Sequence, residues 1–382
     1  MGLIQNIVKH PLKTALVLAL STAISCKSLE NVVIDNYEIS KKQSVAIEKV
    51  LEQDFGKLPG EYVPKYNTTT HKLIQMEKEF GANSWNYLLL DILIEREKSK
   101  FGDKKINNIS KVTTMLQDIG EMLRPFQIEP EKPRSSLISK CLENQRLDCD
   151  GLSLVYLAIG EEINLPMQLA IVPWHVFLRI NTKEWPINWD AAMTHDYRII
   201  SEDKYVGEDN IDNWPKILDT KGIFSLQYSN LSGEWLNKYH YQEWEKNNGT
   251  EVDEEKGLTY LKKGLEHANK SIELFPEMFF AHYNKGLILF YMQDYHSSLK
   301  SFEKADSLWH NESKVLMWKA KNYYQLSEYD KALEVLTNTI EINPALKEAY
   351  QTRSRVWYEK GEKQKAFDDL KMAIELIGLG MR

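Results

Sequence analysis

Three cysteines occur in this 382-residue chain, and Cys149 lies between two aspartates in "RLDCDGLSLVYLAIGEE", directly before a long apolar run. A thiol placed there is either a small buried side chain or a nucleophile. A nucleophilic cysteine needs partial exposure, a stabilised thiolate and a base within hydrogen-bonding reach. The apolar run predicts a buried helix, whose N-terminus would aim the positive end of the helix dipole at Cys149. Asp148 and Asp150 oppose that effect, and their positions suit capping of the helix.

A base is available in "HVFLRI" (175–180), which "EWPINW" (184–189) follows across a turn at Thr182–Lys183. Paired as a hairpin, these segments set Ile180 opposite Trp185 and His175 opposite Asp190. Opposed Cβ atoms lie about 4.5–5.5 Å apart, so a carboxylate there can hold one imidazole nitrogen and fix the tautomer. Strand alternation puts His175, Phe177 and Arg179 on one face, with Val176, Leu178 and Ile180 on the other. Pro186 demands an edge strand or a bulge, and a shifted register would favour Asn188 or Trp189 as the neighbour, of which Asn188 is a workable orienter. Sulfur, imidazole and carboxylate together could carry acyl transfer through a thioester.

Other readings of the same residues stay open. Cys141 and Cys149 could pair as a disulfide. Cys141 by itself shares its helix face with Leu137 and Ile138 and fits a core. His195, beside Asp196, reads as a surface histidine. Cys149, His175, Asp190 and His195 lack the short ligand spacing of a zinc site, so neither a metal nor an organic cofactor is expected.

The elements that must position these groups form three regions. Residues 1–25 carry Lys9 and Lys13 and an apolar stretch from Ala15 to Ile24, followed by Cys26. That arrangement resembles a bacterial lipoprotein signal, which implies lipidation of Cys26 and a membrane-anchored, cell-envelope location. A plain cleaved signal and an uncleaved anchor are the alternatives. Residues 26–40 read as a tether. From Lys41 to Leu123 the pattern is helical, with Asn83 a cap for "SWNYLLLDILIEREKSKF" and "EREKSK" a solvated face. The prolines of "PFQIEPEKPRSS" break the helices. From Ser135 to about Ile200, helices give way to three short strands, "MQLAIV", "HVFLRI" and "EWPINWDA", which predicts an α+β domain. Residues 201–250 show no clean period, and the first domain is placed at 41–245. The formal charge is −7, and no basic cluster interleaves with aromatics, so nucleic-acid binding is not expected.

The last region, 250–382, repeats every 34 residues. Three gap-free rows align Gly286/Ala320/Ser354, Ser298/Ala332/Ala366 and Ala305/Thr339/Ala373, and Pro276 and Pro344 lie two periods apart. The rows resemble tetratricopeptide repeats, whose small residues mark close helix approach. The resemblance implies a concave groove near Phe290, Tyr324 and Tyr358, with Lys321 and Arg355, that takes a protein or peptide partner of aromatic or acidic character. Interhelical packing is the other explanation of the aromatics. The final helix is expected to expose an apolar edge.

"CDGLSLVYLAIGEEINLP" followed by "VPWHVFLRI" and "INWDA" resembles the transglutaminase-like superfamily of papain-type cysteine enzymes. The resemblance implies Cys149 as nucleophile, His175 as base and Asp190 as orienter. Gln145 is the nearest candidate for an oxyanion donor. Leu147–Asp148 stand where the family has a glycine shortly before its cysteine, and Trp174 stands where a small residue is commoner, which implies a narrow or gated cleft. The expected fold is therefore an α+β transglutaminase-like, papain-type core with N-terminal helices, followed by an all-α tetratricopeptide-repeat solenoid. The expected function is envelope-anchored, cysteine-dependent acyl transfer (peptidase, amidase, transglutaminase or deamidase), the alternative being an inactive scaffold that works through its repeats.

Overall fold

The computed structural model describes residues 62–102, 108–123, 136–144, 148–182, 186–192, 199–200, 214–248 and 253–380. Cys26, Gln145 and His195 lie outside them, as does the whole proposed signal and tether. No helix among the described residues is long and apolar enough to cross a membrane. The chain divides into two compact units, one of residues 1–207 with 214–220, the other of 208–213 with 221–382. The division therefore falls near residue 220 rather than at 245.

In the first unit, helices α1 (Thr69–Met76), α2 (Ser84–Phe101), α3 (Ile109–Leu123), α4 (Ile138–Asn144) and α5 (Cys149–Glu162) precede the sheet. Asn83 caps α2: its side chain accepts from Trp85 N–H, while Asn86 reaches back to the Asn83 N–H. Such reciprocal capping satisfies backbone donors that the first helical turn leaves open. The buried face of α2 includes Leu90, Leu93, Ile94 and, unexpectedly, Glu97. Glu97 belongs to "EREKSK", so that stretch is not simply a solvated face. Burial pushes its carboxyl up to about 7, with Lys100 opposing and Asp118 of α3 reinforcing the rise.

A second buried polar group ties the N-terminal segment to α2. Asp91 accepts from Tyr62 Oη and the Lys65 N–H, both at 2.6 Å, and lies 2.9 Å from His71 Nε2. Buried carboxylates persist only when hydrogen-bonded in this way. Glu77 does a comparable job at the end of α1. Its carboxylate accepts from the N–H groups of Ile138 and Ser139 at 2.9 and 2.7 Å, and so pins the start of α4.

The sheet has four strands in the order β3-β2-β1-β4, all antiparallel: β1 (Met167–Val172), β2 (His175–Asn181), β3 (Pro186–Trp189) and β4 (Lys216–Leu218). Pro186 sits on an edge strand, where its missing N–H breaks no central ladder. Against it α5 packs a helix whose residues Gly151 to Gly160 are buried throughout. Each fully buried Leu, Ile or Val on that helix contributes about 1.5–3 kcal/mol.

The β2–β3 register differs from the sequence-based pairing. Ile180 faces Ile187, not Trp185, and Arg179 faces Asn188. The strands have slipped by two residues. Because side chains alternate with a period of two, this slip preserves every face, where a slip of one would have inverted them.

The second unit is a series of paired helices. Helices α6 (Thr220–Asn247) and α7 (Glu254–Leu274) form the first pair, followed by α8 (Phe279–Tyr291) with α9 (Tyr295–Leu308), α10 (Ser313–Gln325) with α11 (Tyr329–Ile342), and α12 (Lys347–Glu359) with α13 (Lys363–Gly380). The 34-residue columns are the contact points. Ser298 Oγ donates to the Gly286 carbonyl, and Ser354 Oγ to the Ala366 carbonyl, so the same two columns meet in both repeats. A Cβ on Gly286 would come within 2.7 Å of the Phe302 ring. The turn inside each of the last three pairs passes through a left-handed residue, Gln293, Ser327 and Gly361, again one period apart. On α13, Phe367 and Ile374 are about three-fifths exposed, which is the apolar edge that the repeat pattern implies.

Candidate functional site

Cys149 is the first residue of α5, and Asp148 is the cap, accepting from the Gly151 N–H at 2.9 Å. Ser136 Oγ also donates to Asp148, which links the cap to the segment that Glu77 holds. Burial, together with the neighbouring Asp150, raises the Asp148 carboxyl above the ordinary range. Capping therefore falls to Asp148, and Asp150 is left for a different contact. The Cys149 thiol donates to Asp150 Oδ1 at 3.4 Å.

That contact governs the resting state of the sulfur. Burial pushes the thiol well above its usual range, and the charges of Asp150 and Asp148 push the same way. The Val176 N–H, directed at the sulfur, pulls in the opposite direction. The side chain is neither sealed nor open, whereas Cys141 is fully buried, and both are free thiols. No disulfide joins them.

His175 opens β2, one residue before the N–H that approaches the sulfur. Its Nε2 lies 3.1 Å from Asp190 Oδ2. Asp190 is buried and also accepts from the Ala192 N–H at 3.0 Å, which fixes the carboxylate just beyond the end of β3. Under the observed register, Asp190 continues β3 to a point opposite Phe177, diagonal to His175 rather than directly across. Diagonal neighbours remain within reach of long side chains. The imidazole also stacks on Phe177, with ring centroids 6.3 Å apart. Asn188 shares this face and is buried, but its Oδ1 has no hydrogen-bond partner among the described residues. Of the two candidate orienters, Asp190 is the one that lies beside the imidazole.

The fold thus brings the start of α5 and the start of β2 to the same place, with Asp190 holding the imidazole there. Gln145 is not among the described residues, so no side chain is assigned as oxyanion donor. The Cys149 N–H, as the first in its helix, has no acceptor inside that helix. The sequence pattern offered "DCD" without revealing which aspartate would cap and which would accept the thiol's hydrogen bond. The Val176 N–H carries no sequence signature at all. No group of three or more metal-ligating side chains occurs among the described residues.

In the second unit the groove candidates have distinct surroundings. Phe290 packs edge-on against Tyr295 and Trp318, with centroids 5.4 and 5.2 Å away, and is a packing residue. Lys321 Nζ lies over the Trp318 ring at 4.1 Å. Burial and the Arg355 charge depress the Lys321 ammonium, so the two cations crowd one another. Tyr324 leans on Tyr329, and Tyr358 is largely exposed.

Residues 89–194 match the Transglutaminase-like superfamily. No curated protein matches the chain significantly. Among solved structures, one of MamA is 20% identical over 42% of this chain and 93% of its own, with a TM-score of 0.31. A thermophilic TPR protein from Thermus thermophilus is 19% identical over 31% of this chain and 67% of its own, at a TM-score of 0.29. YrrB, described as a TPR protein with an unusual peptide-binding site, is 18% identical over 31% of this chain and 79% of its own, at 0.21. The 34-residue register and its paired helices carry the repeat assignment. The chain therefore holds a transglutaminase-like core domain over residues 89–194, ahead of a series of tetratricopeptide-like helical pairs.

Proposed function

We propose that this protein is a cysteine-dependent acyl-transfer enzyme. The observation that carries the reading is the 3.1 Å contact between His175 Nε2 and Asp190 Oδ2, made at the strand end where the Val176 N–H meets the Cys149 sulfur. Cys149 attacks the carbonyl of an amide, and its proton passes to His175 Nδ1. The tetrahedral oxyanion that forms collapses with cleavage of the C–N bond, and His175 returns the proton to the leaving amine. The resulting thioester is released by water, as in hydrolysis or deamidation, or by a second amine, as in cross-linking. Asp190 keeps the imidazole in the tautomer that accepts at Nδ1 and stabilises the imidazolium.

The tetratricopeptide-like repeats imply a protein or peptide interaction. In the proposed reading, crowded Lys321 and Arg355 favour an acidic segment beside exposed Tyr358. Lipidation at Cys26, with location at the cell envelope, belongs to the same proposal and rests on the sequence of residues 1–26 alone.

A second reading has one specific observation in its favour. The thiol hydrogen-bonds a carboxylate and is held protonated, which suits a core domain that has lost catalysis and a protein acting as a scaffold through its repeats. Alkylation by iodoacetamide at neutral pH, followed at Cys149 by mass spectrometry, separates the two. The enzyme reading expects alkylation faster than that of a free thiol, slowed by His175→Ala. A rate no greater than a free thiol's and unchanged by that substitution leaves the scaffold.

A further inference from the structure

The β1–β2 hairpin closes through two residues, Pro173 and Trp174, with Val172 paired to His175. Proline fixes the first turn position. The second, Trp174, has φ 68° and lies in the left-handed region. Turns of this kind take glycine or asparagine at that place, because a side chain with a bulky Cβ substituent is resisted there. Glycine would close the same hairpin without strain. Nor is the indole retained for the core. Trp174 is 39% exposed, whereas Trp189, Trp214 and Trp235 are all buried. The fold therefore accepts backbone strain to hold an aromatic ring partly in solvent, one residue from His175 and two from the N–H aimed at the Cys149 sulfur. Strain of this kind persists where the surroundings enforce it and clusters at ligand-binding positions.

We infer that Trp174 is a specificity-determining residue, the aromatic wall of the acyl-donor site, and that it selects substrates bearing a flat aromatic group close to the carbonyl that Cys149 attacks. The inference rests on the catalytic reading of Cys149, but its test does not share that reading's fate. An indole face offers both apolar area and an aromatic partner, and such pairs prefer offset or edge-on stacking. An alkyl group of similar reach gains only the first of these.

The test compares two alkylating probes, N-phenethyl chloroacetamide and N-(2-cyclohexylethyl) chloroacetamide, on the full chain. In each case the Cys149 thiolate displaces chloride, a C–S bond replaces the C–Cl bond, and the thiol proton is lost to base. The quantity read is the ratio of the two rates at Cys149, normalised to the same ratio for free cysteine. A ratio of about five- to ten-fold in the native protein is expected, retained in Trp174→Phe and reduced to near one in Trp174→Gly. Glycine suits the left-handed turn, so that variant keeps the hairpin, which its circular dichroism and melting temperature verify. A native ratio near one, or a ratio that survives Trp174→Gly, overturns the inference. A slow thiol insensitive to His175→Ala, yet still showing the Trp174-dependent ratio, overturns the catalytic reading alone and leaves the aromatic wall standing.

Discussion

Replacing Asp150 with asparagine is expected to make Cys149 more reactive, although it removes a hydrogen-bonding group from the site. The thiol donates to Asp150 Oδ1 across 3.4 Å, and the carboxylate's charge raises the thiol further. Two like charges at about 4 Å repel by about 1 kcal/mol in water and about 4 kcal/mol at the effective dielectric of a partly buried site. Neutralising Asp150 removes that repulsion and so lowers the thiol, each 1.4 kcal/mol being about a factor of ten in thiolate population. Each such factor of ten at neutral pH is offset by the weaker nucleophilicity of a less basic sulfur, for a net gain of about 3- to 4-fold. Alkylation at pH 7 should therefore accelerate between about 3-fold and about 50-fold. Asparagine preserves the size of the side chain, and the helix keeps its cap because Asp148 supplies it. The assay is the pH dependence of iodoacetamide alkylation at Cys149, in native and Asp150→Asn protein. Lowering the thiol pKa moves the inflection to lower pH. An inflection that stays put or moves upward in a folded variant would refute the electrostatic account. A fall in rate would instead make Asp150 a base for the thiol proton.

Three further outcomes follow from the same structure. Asp190→Asn should keep a side-chain acceptor for the Ala192 N–H while presenting a neutral amide to the imidazole, so Cys149 alkylation should slow by about ten-fold or more with little change in melting temperature. An equal rate in the variant would show that Asp190 does not orient the base. Glu97 titrates near 7 in the folded protein, from an ordinary 4.5. A carboxyl raised on folding contributes stability that is complete below the unfolded value and is lost as pH rises through the folded one. Glu97→Gln should therefore be nearly neutral at pH 4 and stabilising by about 3 kcal/mol at pH 8, read as urea midpoints at both pH values. Gly286→Ala places a methyl 2.7 Å from the Phe302 ring. Overpacking costs about 1–3 kcal/mol, against about 1 kcal/mol gained in helix propensity, so chemical denaturation should show a net loss, and a stabilised variant would contradict the close packing of α8 on α9.

Much of the molecule is legible where the signal is local or periodic. The 34-residue columns place the small residues at which α8 to α13 meet, because only small side chains allow those backbones to approach. The strands β1 and β2 follow from continuous and alternating apolar residues, and Asn83 announces the start of α2 by a cap whose partners lie within three residues. Cys149, His175 and Asp190 could be picked out because a helix start, a strand start and a strand end are themselves local features.

The rest depends on partners far away along the chain. Helix α6 escaped notice because Gly222, Gly233 and its serines weaken both propensity and period. Ser225 serves the close contact with α7, where it exchanges hydrogen bonds with Ser271, while Gly233 and Ser229 lie against Asn284 of α8. Glu97 looks like one more exposed charge until α3 packs over it. The hairpin slipped by two residues, a choice that depends on how the edge strand starting at Pro186 meets β2. Which aspartate caps α5, and which one accepts from the thiol, is decided only once the helix terminus has formed. Sequence alone determined the types of the candidate groups and the order in which they occur, since short-range pattern encodes elements and faces. Tertiary structure alone decided the protonation of the sulfur, because burial and the electric field at one atom are sums over neighbours that no local pattern contains.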